Sequence, residues 1–153
     1  MHRLVRITSN DYRNFRKSYQ KIEYSFFKKG EEDFGLTRRV REMTNDAIKC
    51  KGEFLDEVEN PNNELYFLEI DGEIQGITEL VFTDNSCDIY QFAVFEHGKG
   101  WGTLFYEEVL NIIKQHKVRK ITLFCPYEGA QIFRQKQGFR QKTKFFFEKK
   151  IKS

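Results

Sequence analysis

Apolar residues fall at Tyr12, Phe15, Tyr19, Ile22 and Phe26. Spacings of three and four place them on one stripe of an amphipathic helix. Thr8-Ser9-Asn10-Asp11 supplies capping side chains just before it, and Leu4 to Ile7 ahead of that reads as a short first strand. After a polar break at Lys28-Lys29-Gly30-Glu31-Glu32, a second helical pattern sets Leu36, Val40, Met43, Ala47 and Ile48 on one side. Asn60-Pro61-Asn62-Asn63 is a turn. The period then changes to two. Leu65 to Ile70 and Glu73 to Phe82 predict two strands joined by Asp71-Gly72, a strong hairpin signal. Thr83-Asp84-Asn85-Ser86 turns into a third strand, Cys87 to Val94. From Trp101 to about His116 the pattern is helical again, with Phe105, Val109, Ile112 and Ile113 on its buried side. Lys120 to Phe124 predicts a strand that Pro126 ends. Ala130 and Phe133 lie on a short helix stopped at Gly138, and Gln141 to Ile151 reads as one last strand. The order predicts a single α/β (α+β) domain over residues 1–153, built around one mixed sheet.

Composition narrows the class without naming a function. A chain of 153 residues with 39% apolar and 16% aromatic content has enough to bury one core. No stretch approaches the ~20 apolar residues that cross a bilayer, so no membrane partner is expected. The alternating start Met-His-Arg-Leu-Val-Arg-Ile is unlike a signal peptide, which makes a cytoplasmic location the default expectation. Cys50, Cys87 and Cys125 are odd in number and far apart, against a disulfide framework or a zinc site. A net charge of +3, with both signs mixed, is too mild for a nucleic-acid face. The basic tail interleaved with Phe145, Phe146 and Phe147 reads as an outer-edge strand, one that a second copy in a homodimer would pair with.

The candidate chemistry centres on His97-Gly98-Lys99-Gly100-Trp101-Gly102-Thr103, between a strand and a helix start. Glycines let the backbone approach a ligand, and the amides of a helix N-terminus with the helix dipole favour an anion. A Walker loop is excluded because Lys99 is followed by Gly100 and Trp101 instead of Ser or Thr. A dinucleotide fingerprint is excluded too: the third glycine is misplaced, and the next strand ends in Phe124-Cys125-Pro126 with no acid for a ribose.

The loop resembles the coenzyme A loop of the GNAT acetyltransferase superfamily, Gln/Arg-x-x-Gly-x-Gly/Ala, with His97 where Gln or Arg is usual. Ala130-Gln131-Ile132-Phe133 followed by Gly138-Phe139 is similar to that family's second signature. The resemblance covers about residues 65 to 150. It implies a mostly antiparallel sheet flanked by helices, in which a central parallel strand pair splays apart to admit coenzyme A. It also implies acetyl-CoA as acyl donor and no metal. The amides from Gly98 to Thr103 would hold the pyrophosphate, with charge from Lys99, while His97 is a candidate phosphate contact. The edge of Phe92-Ala93-Val94 would pair with the pantetheine, and an N–H near Val94 would face the oxyanion. Ala130, Phe133 and Arg134 belong to the coenzyme side.

Catalytic residues are less plainly written. The family's usual tyrosine after the signature phenylalanine is Arg134 here, and its usual asparagine is Tyr127. Tyr127 is therefore the candidate acid for the departing thiolate. Alternation places Glu79 with Gln75, Ile77 and Val81 on one strand face, and desolvation there suits a general base. Tyr24, Tyr90 and Gln91 are candidate acceptor contacts. The resemblance implies an N-acetyltransferase acting on a primary amine of a small molecule or peptide. The altered acid position keeps open a non-catalytic acyl-CoA binder or sensor, and the basic aromatic tail a nucleic-acid-associated protein.

Overall fold

The computed structural model describes residues 1–18, 20–21, 51–96, 98–124, 137–143 and 146–151. The second predicted helical pattern, Leu36 to Ile48, and the Ala130–Phe133 helix lie outside these residues. The described strands are β1 (His2–Arg6), β2 (Asn63–Ile70), β3 (Glu73–Phe82), β4 (Ser86–Val94), β5 (Lys120–Phe124), β6 (Arg140–Gln141) and β7 (Phe146–Lys150). They form one sheet in the order β1-β2-β3-β4-β5-β7-β6. Each neighbouring pair is antiparallel except β4 and β5, which run parallel.

Local chemistry explains the start of the chain. Thr8 caps a 3-10 turn, Ser9–Asp11, in a reciprocal capping box with Asp11. Helix α1 follows, its described residues being 12–18 and 20–21. Helix α2, Lys51–Glu59, lies where the apolar pattern had predicted no separate element. It is anchored by Phe54, whose ring meets Tyr12 and Phe15 of α1 at 5.3 and 4.7 Å. A three-residue apolar set, Phe54, Leu55 and Val58, was its available signal. The Asn60 side chain then accepts from the Asn62 amide and turns the chain into β2. At the hairpin, Asp71 and Gly72 both adopt positive φ (51° and 85°), as a type I′ turn requires.

Two hydrophobic layers lie on the two faces of the sheet. On one, Ile7, Phe15, Phe54, Leu65, Phe67, Ile77 and Phe95 pack beneath α1 and α2. On the other, helix α3 (Trp101–Gln115) sets Phe105, Tyr106, Val109 and Ile113 against Leu80, Cys87, Ile89, Ile121 and Phe147. Gly76 admits α3 so closely that a Cβ there would stand 2.9 Å from the Ala93 carbonyl oxygen and 3.0 Å from the Phe105 ring. No helix among the described residues is long and apolar enough to cross a membrane.

The single last strand expected over Gln141 to Ile151 is instead two. Lys142 and the Thr143 side chain bond back to Phe146, so the chain reverses between β6 and β7. β7 pairs with β5 on one side and β6 on the other, so it is not the outer edge that its basic aromatic pattern suggested. Its alternation is real, with Phe147 buried and Phe146 52% exposed, but the buried face meets the core and both flanks are paired.

A polar network ties the far end of the sheet to α3. Glu64 accepts from the Tyr66 hydroxyl and pairs with Arg6 at 3.3 Å and with His116, just past α3, at 2.7 Å. The His116 ring also stacks on Phe82 at 3.9 Å. Burial and the Glu64 carboxylate push the Tyr66 hydroxyl up to about 12. Removing a carboxylate that three partners share leaves each of them short of an acceptor. Glu64→Ala is therefore expected to cost about 2–4 kcal/mol in urea unfolding at neutral pH. Arg3→Ala, which removes the exposed Arg3–Glu69 pair, is expected to cost under about 1 kcal/mol.

Candidate active site

The site grows from an asymmetry in β4. On its β3 side the strand is paired to its end, Gly76 opposite Val94, and the Phe95 amide then donates to the Gln75 carbonyl at 2.9 Å. On its β5 side the ladder covers only Ser86 to Ile89, the last pair being Ile89 with Leu123. Phe124 already pairs with β7 alone. Past Ile89 no described residue of β5 pairs with β4. Because Phe95 points its N–H at β3, alternation aims the Val94 N–H the other way, away from β3.

A β-bulge lies where the β4–β5 ladder ends. Glu79 is opposite Gln91 and Leu80 is opposite Ile89, so Tyr90 is the extra residue of β4. The bulge changes the parity of the strand. Cys87 and Ile89 face α3 before it, and Phe92 and Val94 face α3 after it. The Phe92 ring then stacks on Phe105 at 4.8 Å. Tyr90 itself is 56% exposed.

The glycine-rich turn stands where β4 ends. Gly98 and Gly100 take positive φ, 80° and 76°, and Gly100 is the N-cap of α3 without any side-chain cap. A Cβ at Gly98, Gly100 or Gly102 would meet nothing within 4 Å, so the turn opens outward. The first-turn amides of Trp101, Gly102 and Thr103 have no partner within the helix, and the N-terminal end of its dipole lies with them. Trp101 packs on the α3-side core and moors the turn. Lys99 does not stand alone as a free cation: its Nζ pairs with Glu96 at 2.6 Å and lies 4.9 Å over the Trp101 ring.

Glu79 faces inward, with 4% of its surface exposed. It shares the face of Ile77, under α2, where it is hydrogen-bonded to Glu57. Its Oε1 has no partner. Burial, then the Glu57 charge and hydrogen bond, push the Glu79 carboxyl from an ordinary 4.5 up to about 9. Burial raises Glu57 as well. At neutral pH Glu79 keeps its proton. Sequence alternation had put Glu79 on this face. It offered no view of Glu57, which belongs to the helix that the sequence pattern did not set apart.

The structure thus brings together Glu79, Tyr90, Gln91, Phe92, Ala93 and Val94 along one strand pair, with Gly98 to Thr103 beyond its end. Tyr24, His97, Tyr127, Ala130, Phe133 and Arg134 lie outside the described residues.

A raised carboxyl makes stability fall with pH. Below about 4.5 the folded and unfolded chains both hold the proton, and the contribution of Glu79 is at its fullest. As pH rises, the unfolded chain releases its proton first. The contribution therefore declines, by about 1.4 kcal/mol per pH unit, until the folded carboxyl also ionises near 9. Glu79→Gln removes this titration. Urea unfolding across the interval is expected to show a flatter profile for the variant; parallel profiles for both proteins would refute the assignment.

No protein-family model matches the sequence, and no curated protein matches it. Solved structures do. The PaiA N-acetyltransferase of Thermoplasma acidophilum, crystallised with coenzyme A, superposes with a TM-score of 0.76 at 17% identity, covering 99% of each chain. An acetyltransferase of Thermus thermophilus gives 0.70 at 16% identity, over 99% of this chain and 97% of the other. A GNAT-family acetyltransferase of Elizabethkingia anophelis with acetyl-CoA bound gives 0.56 at 18% identity, over 67% of this chain and 84% of the other. At such identities the likeness speaks for architecture: the chain has the fold of the GNAT acetyltransferases.

Proposed function

We propose that this protein is an N-acetyltransferase that moves an acetyl group from acetyl-CoA directly to a primary amine of a small molecule or peptide. The observation that carries the reading is the end of the β4–β5 ladder at Ile89, beyond which β4 runs on to Val94, next to the uncapped N-terminus of α3. The coenzyme's diphosphate sits on the amides of Gly98 to Thr103, and its pantetheine arm lies along Phe92-Ala93-Val94 as an added strand. Lys99, shared with Glu96, contributes less charge to the diphosphate than the backbone does. Ala130 and Phe133 belong to the same coenzyme side by their match to the family's second signature, and His97 and Arg134 by their positions in the two motifs, where the family's usual residues differ.

The Val94 N–H donates to the thioester carbonyl as it becomes an oxyanion. The amine nitrogen attacks that carbon, a C–N bond forms, and the C–S bond breaks. Glu79 receives the ammonium proton through water before the attack; Tyr127 gives a proton to the leaving thiolate and regains one from the attacking nitrogen as the amide forms. Tyr24, Tyr90 and Gln91 line the amine's approach. A carboxyl raised by burial is a base matched to amines, which themselves lose protons only at alkaline pH.

Acetyl-CoA at about a hundred times its Kd is expected to stabilise the wild-type chain by about 3 kcal/mol, several degrees in Tm. Gly100→Glu places a side chain at a positive-φ position in the cradle and should abolish the shift. A shift that survives this change removes the loop from the account. With an acceptor found from a panel of amines by thiol release, Glu79→Gln is expected to lower kcat about 100-fold. In the wild type kcat/KM should climb with pH toward about 9, since the base acts once its proton is lost. Glu57→Gln, lacking the neighbouring charge, should move that limb to lower pH. Acetyl-CoA stabilisation without thiol release to any amine would favour an acyl-CoA sensor, a reading that rests on Arg134 in place of the family's tyrosine.

A further inference from the structure

The outward face of α1 carries Arg13, Arg16 and Lys17, three cations at helical spacings of three and four. Like charges at these spacings destabilise a helix, and acids at the same spacings would relieve them. None is supplied. The one acid between Ser9 and Lys21 is Asp11, and its carboxylate is committed to the Thr8 amide and hydroxyl at 2.7 and 3.0 Å. Lys51, at the start of α2, brings a fourth cation to the same place. These four line a groove of about 580 Å³ together with neutral donors from Asn10 and Gln20, and among the described residues no carboxylate lines it. Among the described residues none of the four forms an ion pair. Elsewhere among the described residues Arg3, Arg6, Lys99 and Lys120 pair with Glu69, Glu64, Glu96 and Glu148, but those cations are scattered, whereas these four share one groove.

We propose that this groove binds a free small molecule bearing two or more phosphates, at a site separate from the Gly98–Thr103 cradle. The two places belong to opposite faces of the sheet, α1 covering one and α3 the other. Guanidinium forks match phosphate oxygens two at a time, and two arginines with two lysines suit several charges close together better than one carboxylate. The volume is that of a nucleotide-sized ligand. A nucleic-acid strand needs a continuous basic track, and a net charge of +3 spread over mixed signs does not provide one.

The probe is inorganic tripolyphosphate, titrated calorimetrically into the full chain. Binding is expected, weakening as salt is raised. Arg13→Glu combined with Lys17→Glu should reduce the affinity at least about tenfold. Arg13→Gln with Lys17→Gln should reduce it less, and both variants keep their circular dichroism because the changed side chains are exposed. Gly100→Glu should leave the affinity within about twofold, because the cradle is elsewhere. If Gly100→Glu abolishes binding while the charge-reversed variant retains it, tripolyphosphate occupies the coenzyme cradle and the groove proposal is overturned. Failure to bind tripolyphosphate at low salt overturns it as well, and so does binding of a short RNA duplex in its place.

Discussion

A parallel strand pair that stops pairing halfway is the constraint on which the rest depends. β4 is held by β3 along its whole length and by β5 only from Ser86 to Ile89. Past that point β4 is exposed at Tyr90 and partly exposed from Gln91 to Val94. Under the proposed function the coenzyme's arm pairs with this edge. The bulge at Tyr90 is what makes the change of partner feasible. It re-aims the strand, turns Phe92 and Val94 toward α3, and leaves Gln91 opposite Glu79.

Packing then fixes the cradle relative to this edge. Gly76 allows the Phe105 ring to lie against β3, Phe92 stacks on that ring, and Trp101 holds the first turn of α3 to the same core. The α3 N-terminus therefore cannot drift from the end of β4 without opening the core. On the opposite face, α2 covers Glu79 and places Glu57 on it. A like-charged neighbour in a desolvated position holds the proton on and stabilises the neutral form. The groove on α1 lies on this same side, beyond the helices, and shares no residue with the cradle.

Much of the arrangement was legible in residues alone. Asp71-Gly72 named the hairpin because few residues besides these accept two positive φ values in succession. The glycines from 98 to 102 named the outward turn for the same reason, and period-two alternation placed Glu79 beside Ile77 on an inward face. Other features could not be read. A bulge adds one residue without altering composition, so nothing in Cys87 to Val94 announced Tyr90. Gly76 looked like an ordinary strand glycine until α3 was set against it. The Glu57–Glu79 pair joins residues from a helix and a strand whose contact depends on Phe54. The final strand misled because Phe145 to Phe147 alternates equally well in a paired strand and in an edge. Lys99 looked free because its partner, Glu96, lies just outside the motif.

Hydrogen–deuterium exchange of the whole chain with and without acetyl-CoA tests the central claim most directly. Slowed exchange is expected in two places at once, the amides from Gly98 to Leu104 and the amide of Val94, with β1 and β2 unchanged. Protection confined to other segments, or exchange at Val94 that acetyl-CoA leaves untouched, would contradict the account of a coenzyme lying along β4 beyond the end of its ladder with β5.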